Sequence, residues 1–403
     1  MLETLRSVIR FRELELDPVE RRLGRVASVS DLRKVAKRRL PGGVFDYIDG
    51  GAEDERSLDR NSAAFADIEY IPRVLRDVGE IDTTSTLMGK ALPFPLVLAP
   101  TGFSRIADSQ GELAVARAAA RAGVPYSLST LSTRSIEAVA GAADGDHWFQ
   151  VYVWKDRGLV KDLLDRAQES GYSTIAVTVD TALLGRRERD VRRGYSLPPK
   201  IGLDTIIDGM VHPAWTADFL RAEPITFANI AGMDNDGSTA VTLADYIASQ
   251  FDQSLSWDDI DWMRGIWPGK LVIKGIQSVA DAKISTEHGV DAIALSNHGG
   301  RQLDGAPAPI DLVAPVTDEV SGAIAVICDG GIRRGSDIFK AVALGADACM
   351  AGRAYLYGLG AAGERGVDWV LNHLHDGLRQ VMALNGCTTI ADIDRETVRP
   401  RPI

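Results

Sequence analysis

His298 and Arg301 stand three residues apart in Ser296-Asn297-His298-Gly299-Gly300-Arg301. An imidazole titrates near neutrality and can take up or release a proton there. A guanidinium fork holds a carboxylate through two parallel hydrogen bonds. Asp180, brought beside His298, would orient the ring and stabilise its protonated form, as the acid of a triad does. Arg187, in Gly185-Arg186-Arg187-Glu188, offers a second cation, while its neighbour Arg186 illustrates the ordinary alternative of a solvated charge. A lone histidine is usually a structural hydrogen-bonder. These neighbours are what point to a base acting beside a bound carboxylate.

A second group has the makings of an anion cradle. Asp329-Gly330-Gly331-Ile332-Arg333 is followed one unit later by Gly352-Arg353. Glycines admit a backbone close to an anion, a following helix presents its N-terminus, and the arginines add charge. Gly-Gly alone is ordinarily a turn, but the two segments together predict a phosphorylated ligand. Lys274 closes an apolar run, so its ammonium needs an anionic partner. Its residue type leaves two roles open, a Schiff-base amine or a cation holding negative charge on a cofactor ring.

These side chains need a frame that brings them together. Short Val-, Ile- and Leu-rich runs predict eight strands: Leu96–Ala99, Pro125–Ser129, Trp148–Tyr152, Thr174–Val179, Leu271–Lys274, Ala292–Ser296, Ala325–Cys328 and Ala348–Ala351. Continuous apolar runs mark parallel strands buried on both faces. Helices are predicted between them, including Gly111–Ala122, Gly158–Ser170, Val279–His288 and Ser336–Leu344. Gly289-Val290-Asp291-Ala292 and Gly345-Ala346-Asp347-Ala348 repeat one helix-to-strand junction. Eight such units predict an α/β fold, a (β/α)8 TIM barrel, with active residues at the C-terminal strand ends. Polar residues follow every strand: Pro100-Thr101-Gly102, Ser129-Thr130, Gln150-Val151-Tyr152, Thr178-Val179-Asp180, Lys274-Gly275, Ser296 to Arg301, Asp329 to Arg333, and Gly352-Arg353. Eight polar ends in step are hard to explain as solvated turns.

The chain is read as a single domain over 1–403. An N-terminal arm and helical segment (1–93) precedes a barrel (94–358), and a C-terminal helix and tail (359–403) follows. Ser28 to Arg39 reads as a helix broken by Gly42-Gly43. A long insertion after strand four, about 188–268, carries Trp215, Trp257, Trp262 and Trp267. With 45 Lys+Arg against 56 Asp+Glu, the net charge of −11 argues against nucleic-acid binding. Cys328, Cys349 and Cys387 have no metal or disulfide spacing, so no metal is expected and a reducing cytoplasm fits. No apolar run is long enough to span a bilayer, which leaves peripheral membrane contact open.

Ser296-Asn297-His298-Gly299-Gly300-Arg301-Gln302-Leu303-Asp304 resembles the active-site signature of the FMN-dependent α-hydroxy-acid oxidases and dehydrogenases. The resemblance runs from about Val29 to Arg379. It takes in Phe45-Asp46-Tyr47, Gly51-Ala52-Glu53-Asp54, Ala99-Pro100-Thr101-Gly102, Gln150-Val151-Tyr152, Thr178-Val179-Asp180-Thr181, Lys274-Gly275 and Asp329-Gly330-Gly331-Ile332-Arg333. The arm and insertion are most similar to the bacterial respiratory L-lactate dehydrogenase branch.

The resemblance implies FMN as cofactor and a role for each residue. His298 would take the proton of the α-hydroxy acid and Asp180 would stabilise the imidazolium. Arg301 and Arg187, with Tyr47, would hold the carboxylate, and Tyr152 would bond near the reacting carbon. Lys274 would face the N1/O2 edge of the flavin. Ser129, Gln150 and Thr178 would bind its polar edge, Pro100-Thr101-Gly102 would lie near N5, and Ser296 would touch the ring. Asp329 would meet the ribityl chain, and Gly330, Gly331, Arg333, Gly352 and Arg353 the phosphate. Gly102 stands where many oxidases have Ala, and Leu131 where glycolate oxidases have a bulky aromatic. Both favour a dehydrogenase of lactate or a bulkier acid such as mandelate. The implied acceptor is a quinone or other carrier, with an oxygen-reducing oxidase as the alternative. A homotetramer is implied as well. A Schiff-base aldolase and a flavin isomerase are the competing classes, and His298 with paired arginines disfavours both.

Overall fold

The computed structural model describes residues 15–192, 202–230 and 249–402. Four helices lead in: α1 Pro18–Leu23, α2 Val29–Arg39, α3 Gly42–Asp49 and α4 Arg56–Ala63. Ser28 caps α2, its hydroxyl accepting from Asp31 N at 3.2 Å. Gly42-Gly43 does not break that helix. α2 stops at Leu40, and after Pro41 the two glycines open α3, because proline fixes the turn just ahead of a helix start.

Strand β1 (Ile68–Tyr70) pairs with the last strand of the chain, Val398–Pro400, tying the two terminal segments together. β2 (Ser85–Leu87) and β3 (Lys90–Leu92) form a hairpin over Met88 and Gly89, both at positive φ, the backbone of a tight two-residue turn. The strands of the barrel follow as β4 Leu96–Leu98, β5 Tyr126–Ser129, β6 His147–Tyr152, β7 Thr174–Thr178, β8 Lys270–Ile276, β9 Ala292–Ser296, β10 Ala325–Asp329 and β11 Ala348–Ala351. They run parallel in sequence order and close where Cys349 and Met350 pair with Leu96 and Val97. All eight predicted strands are present within two residues at either end, and the fold is a (β/α)8 barrel.

The two faces of the strands carry different loads. Leu98, Leu128, Phe149, Ile175, Ile273 and Leu295 face outward into the large core shared with the helices. Trp148, Ala176, Val272, Ala294, Ile327 and Met350 face inward. The β2–β3 hairpin closes the N-terminal mouth by adding Leu87 and Leu92 to this inner cluster. Two residues further along the same alternation come Gln150, Thr178, Lys274, Ser296 and Asp329. Period-two geometry therefore stacks a polar layer on an apolar one inside the barrel, at the C-terminal end. The repeated Gly-x-Asp-Ala junction also has a cause. Asp291 accepts from Leu271 N at 2.9 Å and Asp347 from Val326 N at 2.7 Å, each stapling one strand start to the next.

Beyond β7 the chain leaves the barrel. Residues Glu188–Arg192, Leu203–Val211 and Pro213–Arg221 are helical. Residues 227–230 return to the rim, where Asn229 accepts from Ile136 N at 2.9 Å and donates to Ser132 Oγ at 2.9 Å. A second return pairs Phe251 with Trp154. Helix Trp257–Ile266 then leads into β8 with Ile260 and Met263 in the core, so it takes the place of the barrel's own fourth helix. Three of the four tryptophans read as part of the excursion belong to this helix and the turn after it. Residues 193–201 and 231–248 of the excursion lie outside the described residues.

Candidate active site

A cavity of about 390 Å³ opens at the C-terminal end of the barrel. Tyr47, Pro100, Thr101, Gly102, Ser129, Gln150, Tyr152, Thr178, Arg187, Lys274 and His298 line it. So do Arg301, Asp329, Gly330, Gly331, Arg333, Gly352 and Arg353. Of the residues singled out by sequence, only Asp180 and Ser296 are absent from this wall, and each stands directly behind it.

His298 presents its ring from a left-handed backbone position, φ 57°. Its Nδ1 lies 2.9 Å from Asp180 Oδ1, leaving Nε2 as the free nitrogen of the ring. Burial pushes the imidazole below its ordinary value. Asp180 pulls it back, and Lys274 and Arg187 oppose Asp180. Asp180 is held low: burial works to raise it, but His298 and Lys274 outweigh burial. Its loop is locked by Gln302, whose amide donates to Asp180 O at 3.0 Å and Leu183 O at 2.8 Å.

Lys274 is the cation at the base of the cavity. Its Nζ lies 2.8 Å from Asp329 Oδ2 and 3.2 Å from Ser296 Oγ, and Ser296 Oγ donates to Asp329 at 2.8 Å. Burial works to lower Lys274, but Asp329 and Asp180 raise it above the ordinary value. An amine held protonated is the reverse of what Schiff-base formation requires. The ion pair with Asp329 engages the amine that an aldolase would need free, which counts against that alternative. Ser296 serves here as the link between Lys274, Asp329 and the backbone N–H of His298, which donates to it at 3.1 Å.

Four arginines reach the cavity, and among the described residues none has a carboxylate within ion-pair distance. Arg301 is pushed down to about 9 by burial, and Arg187 is its strongest cationic neighbour. Arg353 is pushed down to about 10 by burial, with Arg333 its strongest cationic neighbour. Arg187 Nε is buried without a partner among the described residues. Cations crowded together with no carboxylate in direct contact form a site that favours anions, here in two pairs. The helix that opens toward the cavity is Arg353–Ala362, whose N-terminus at Gly352 has no side-chain cap. The helix after β10 was the expected cradle, but Asp337 already accepts from Arg333 N at 2.8 Å and Arg334 N at 2.9 Å. Gly331 has a packing reason to be glycine, since a Cβ there would collide with the Asn61 carbonyl.

The wall also carries unmet hydrogen-bonding capacity. Ser129 Oγ accepts from Leu131 N at 3.1 Å and donates to Gln150 Oε1 at 3.0 Å. Gln150 Nε2 is thereby left as a buried donor without a partner among the described residues, and Thr178 Oγ1 is another such atom. Both residues line the cavity, where a ring system with a polar edge would satisfy them. With the uncapped helix end and Arg333/Arg353 for a phosphate, the donor set fits FMN. Tyr152 keeps its proton, because burial raises its phenol well above the ordinary value.

Several contributors escaped the sequence reading. Phe227 and Phe251 line the cavity from the excursion, the latter edge-on to Tyr152 with ring centroids 5.2 Å apart. Asp190 lines it beside the arginines. Asn61 and Asn297 exchange two amide hydrogen bonds, each 2.7 Å, and clamp α4 onto the loop carrying His298. No local pattern marks Phe227, Phe251, Asp190 or Asn61, while Asn297 stands inside the signature segment, which does not reveal its partner. Gly102 is also tighter than its lack of a side chain suggests: a Cβ would meet Leu131 O at 3.1 Å and Leu131 Cβ at 3.2 Å.

Residues 36–400 match the family described as FMN-dependent dehydrogenase. A Mycobacterium tuberculosis relative is 45% identical over 96% of this chain and 93% of its own length. The L-lactate dehydrogenase of Haemophilus influenzae is 43% identical, covering 93% of this chain and 98% of that protein. Among solved structures, the monotopic membrane protein (S)-mandelate dehydrogenase superposes with a TM-score of 0.90 at 39% identity, over 93% of this chain and all of the other.

Proposed function

The chain belongs to the FMN-dependent dehydrogenase family, and from that premise we propose that it oxidises an L-2-hydroxy acid, chiefly L-lactate to pyruvate, and passes the electrons to a quinone or other carrier. The cofactor is FMN. The observation that carries the reading is two pairs of arginines with no carboxylate in direct contact among the described residues, one pair of them beside the base. Arg187 and Arg301 stand beside His298, and Arg333 and Arg353 stand at the uncapped helix end.

The first pair holds the substrate carboxylate in a two-pronged grip, assisted by Tyr47, whose ring lies under the Arg301 guanidinium at 5.1 Å. His298 Nε2 takes the hydroxyl proton as the alcohol becomes a carbonyl, and Asp180 stabilises the charge so created. Tyr152 donates its phenolic hydrogen to the oxygen on the reacting carbon. Lys274, kept charged by Asp329, offers a fixed positive potential at the base of the cavity. Bound FMN supplies the acceptor for the two electrons and the hydrogen that leave the carbon. Phe227, Phe251 and Leu131 surround the remaining space with apolar surface, which suits a methyl or larger apolar substituent.

A bulkier acid such as mandelate is the second reading, favoured by these aromatic walls and by the likeness to (S)-mandelate dehydrogenase. Anaerobic bleaching of the flavin by a panel of L-2-hydroxy acids tests both. Lactate should bleach fastest, and reoxidation should be faster with a quinone analogue than with oxygen. No bleaching by any member of the panel would remove the proposal.

We further propose peripheral contact with a membrane. Among the described residues no helix is long and apolar enough to cross one. Yet Ile206, Ile207, Met210, Val211, Phe219 and Leu220 are exposed on the excursion helices, an apolar surface of the kind that sits on lipid.

A further inference from the structure

Asp49 touches neither the proposed substrate nor the cofactor, yet it is the most heavily bonded carboxylate beneath the site. It is 2% exposed and closes helix α3. Its Oδ1 accepts from the Tyr357 hydroxyl at 2.7 Å, and its Oδ2 accepts from Arg33 at 2.6 Å and Arg189 at 2.8 Å. Burial works to raise its carboxyl, but these donors bring it down to about 2, so it is charged throughout the working range.

The carbonyls around Asp49 are those that a helix leaves unpaired at its C-terminus, where its dipole is negative. Each has a cation from the site. Tyr47 O accepts from Arg301 at 2.7 Å, and Ile48 O accepts from Arg353 Nε at 3.1 Å. Gly50 O accepts from both, at 3.2 Å from Arg301 and 2.6 Å from Arg353. Among the described residues neither arginine has a carboxylate within ion-pair distance, so the same helix end helps direct the guanidinium of the carboxylate subsite and that of the phosphate subsite, the latter also donating to Gly299 O at 2.6 Å. A third link runs through Tyr357, whose ring lies 5.9 Å from the Arg333 guanidinium.

We propose that Asp49 is a positioning residue: by pinning the end of α3 it sets the aim of Arg301 and Arg353, and thereby governs the affinities for substrate carboxylate and FMN phosphate together. The proposal rests on the site assignment given above. It explains why Asp49-Gly50-Gly51 sits in a segment far from the barrel in sequence but directly over its mouth in space.

The test uses the holoenzyme and Asp49→Asn. Two quantities are measured: KM for the L-2-hydroxy acid, and FMN release on dilution, read as recovered free-flavin fluorescence. Loss of one charge-assisted contact network should raise both by roughly tenfold. The kcat and the acid limb of the pH profile, which belong to His298, should stay in place. Tyr357→Phe keeps the ring and removes only the hydroxyl, so it should shift both quantities in the same direction by less, and it stands in if the Asn variant does not fold. Wild-type KM and flavin retention in the variant, whatever its melting temperature, would overturn the proposal. If no hydroxy acid bleaches even the wild-type enzyme, the substrate reading fails, while flavin retention still decides the role of Asp49.

Discussion

His298 Nδ1 and Asp180 Oδ1 lie 2.9 Å apart across 118 residues of chain, with the Asp180 side chain 1% exposed. The imidazole is lowered by burial and partly restored by this carboxylate, so it is neutral at pH 7 and its Nε2 is ready to accept a proton. As pH falls through its value in the folded enzyme, below the ordinary 6.5, kcat/KM should fall with it. Asp180→Asn removes a group that raises the imidazole value. The acid limb should therefore move to lower pH while kcat drops. A limb that moves upward would show that Asp180 does not act through His298.

His298→Ala should retain yellow flavin and lose about 10²–10⁴-fold in turnover, the usual cost of removing a general base. Single-turnover reduction of the flavin by lactate is the measurement. Near-normal reduction would take His298 out of the mechanism.

Arg301→Lys should raise KM, because a point charge cannot reproduce the fork. The loss of a charge-assisted contact, about 1.5–3 kcal/mol, corresponds to roughly ten- to a hundredfold. Unchanged affinity for lactate would count against the carboxylate clamp.

Lys274→Met strands Asp329 in a buried position, and an uncompensated buried charge costs about 3–5 kcal/mol. Thermal unfolding should show that loss, and Lys274→Met with Asp329→Ala should recover most of it. Flavin reduction should stay slow in both variants. Recovery of reduction by the double variant would mean that Lys274 serves only to balance Asp329.

Phe227→Ala should widen the cavity at the wall supplied by the excursion and raise kcat/KM for mandelate relative to lactate. An unchanged ratio would show that this ring does not bound the substrate.

Ile207→Asp with Met210→Asp places two charges on the exposed apolar face of the excursion. Co-sedimentation with lipid vesicles should fall while lactate turnover in solution is retained. Equal sedimentation of both proteins would remove this face from membrane contact.

Much of this enzyme is written locally. Strand positions follow from apolar runs, and the alternation along a strand puts Gln150, Thr178, Lys274, Ser296 and Asp329 on the face that carries Trp148, Ala176, Val272, Ala294 and Ile327. Residue type and strand boundary together named the polar rim before any contact was known. The partners of those side chains were another matter. That Asp329 would neutralise Lys274 and that Ser129 would turn the Gln150 amide outward both depend on which strands meet.

The sequence by itself determined the barrel, the chemical groups at its mouth and the family, because periodicity, strand length and residue chemistry act over a few residues. Only the tertiary structure decided what aims those groups. Asn61 meets Asn297, Phe251 meets Tyr152, and the α3 carbonyls gather Arg301 and Arg353 across 251 to 305 residues of chain. Such contacts follow from how the N-terminal helices and the excursion fold back over the barrel, where burial removes water and leaves each polar group to find a partner from whichever segment arrives beside it.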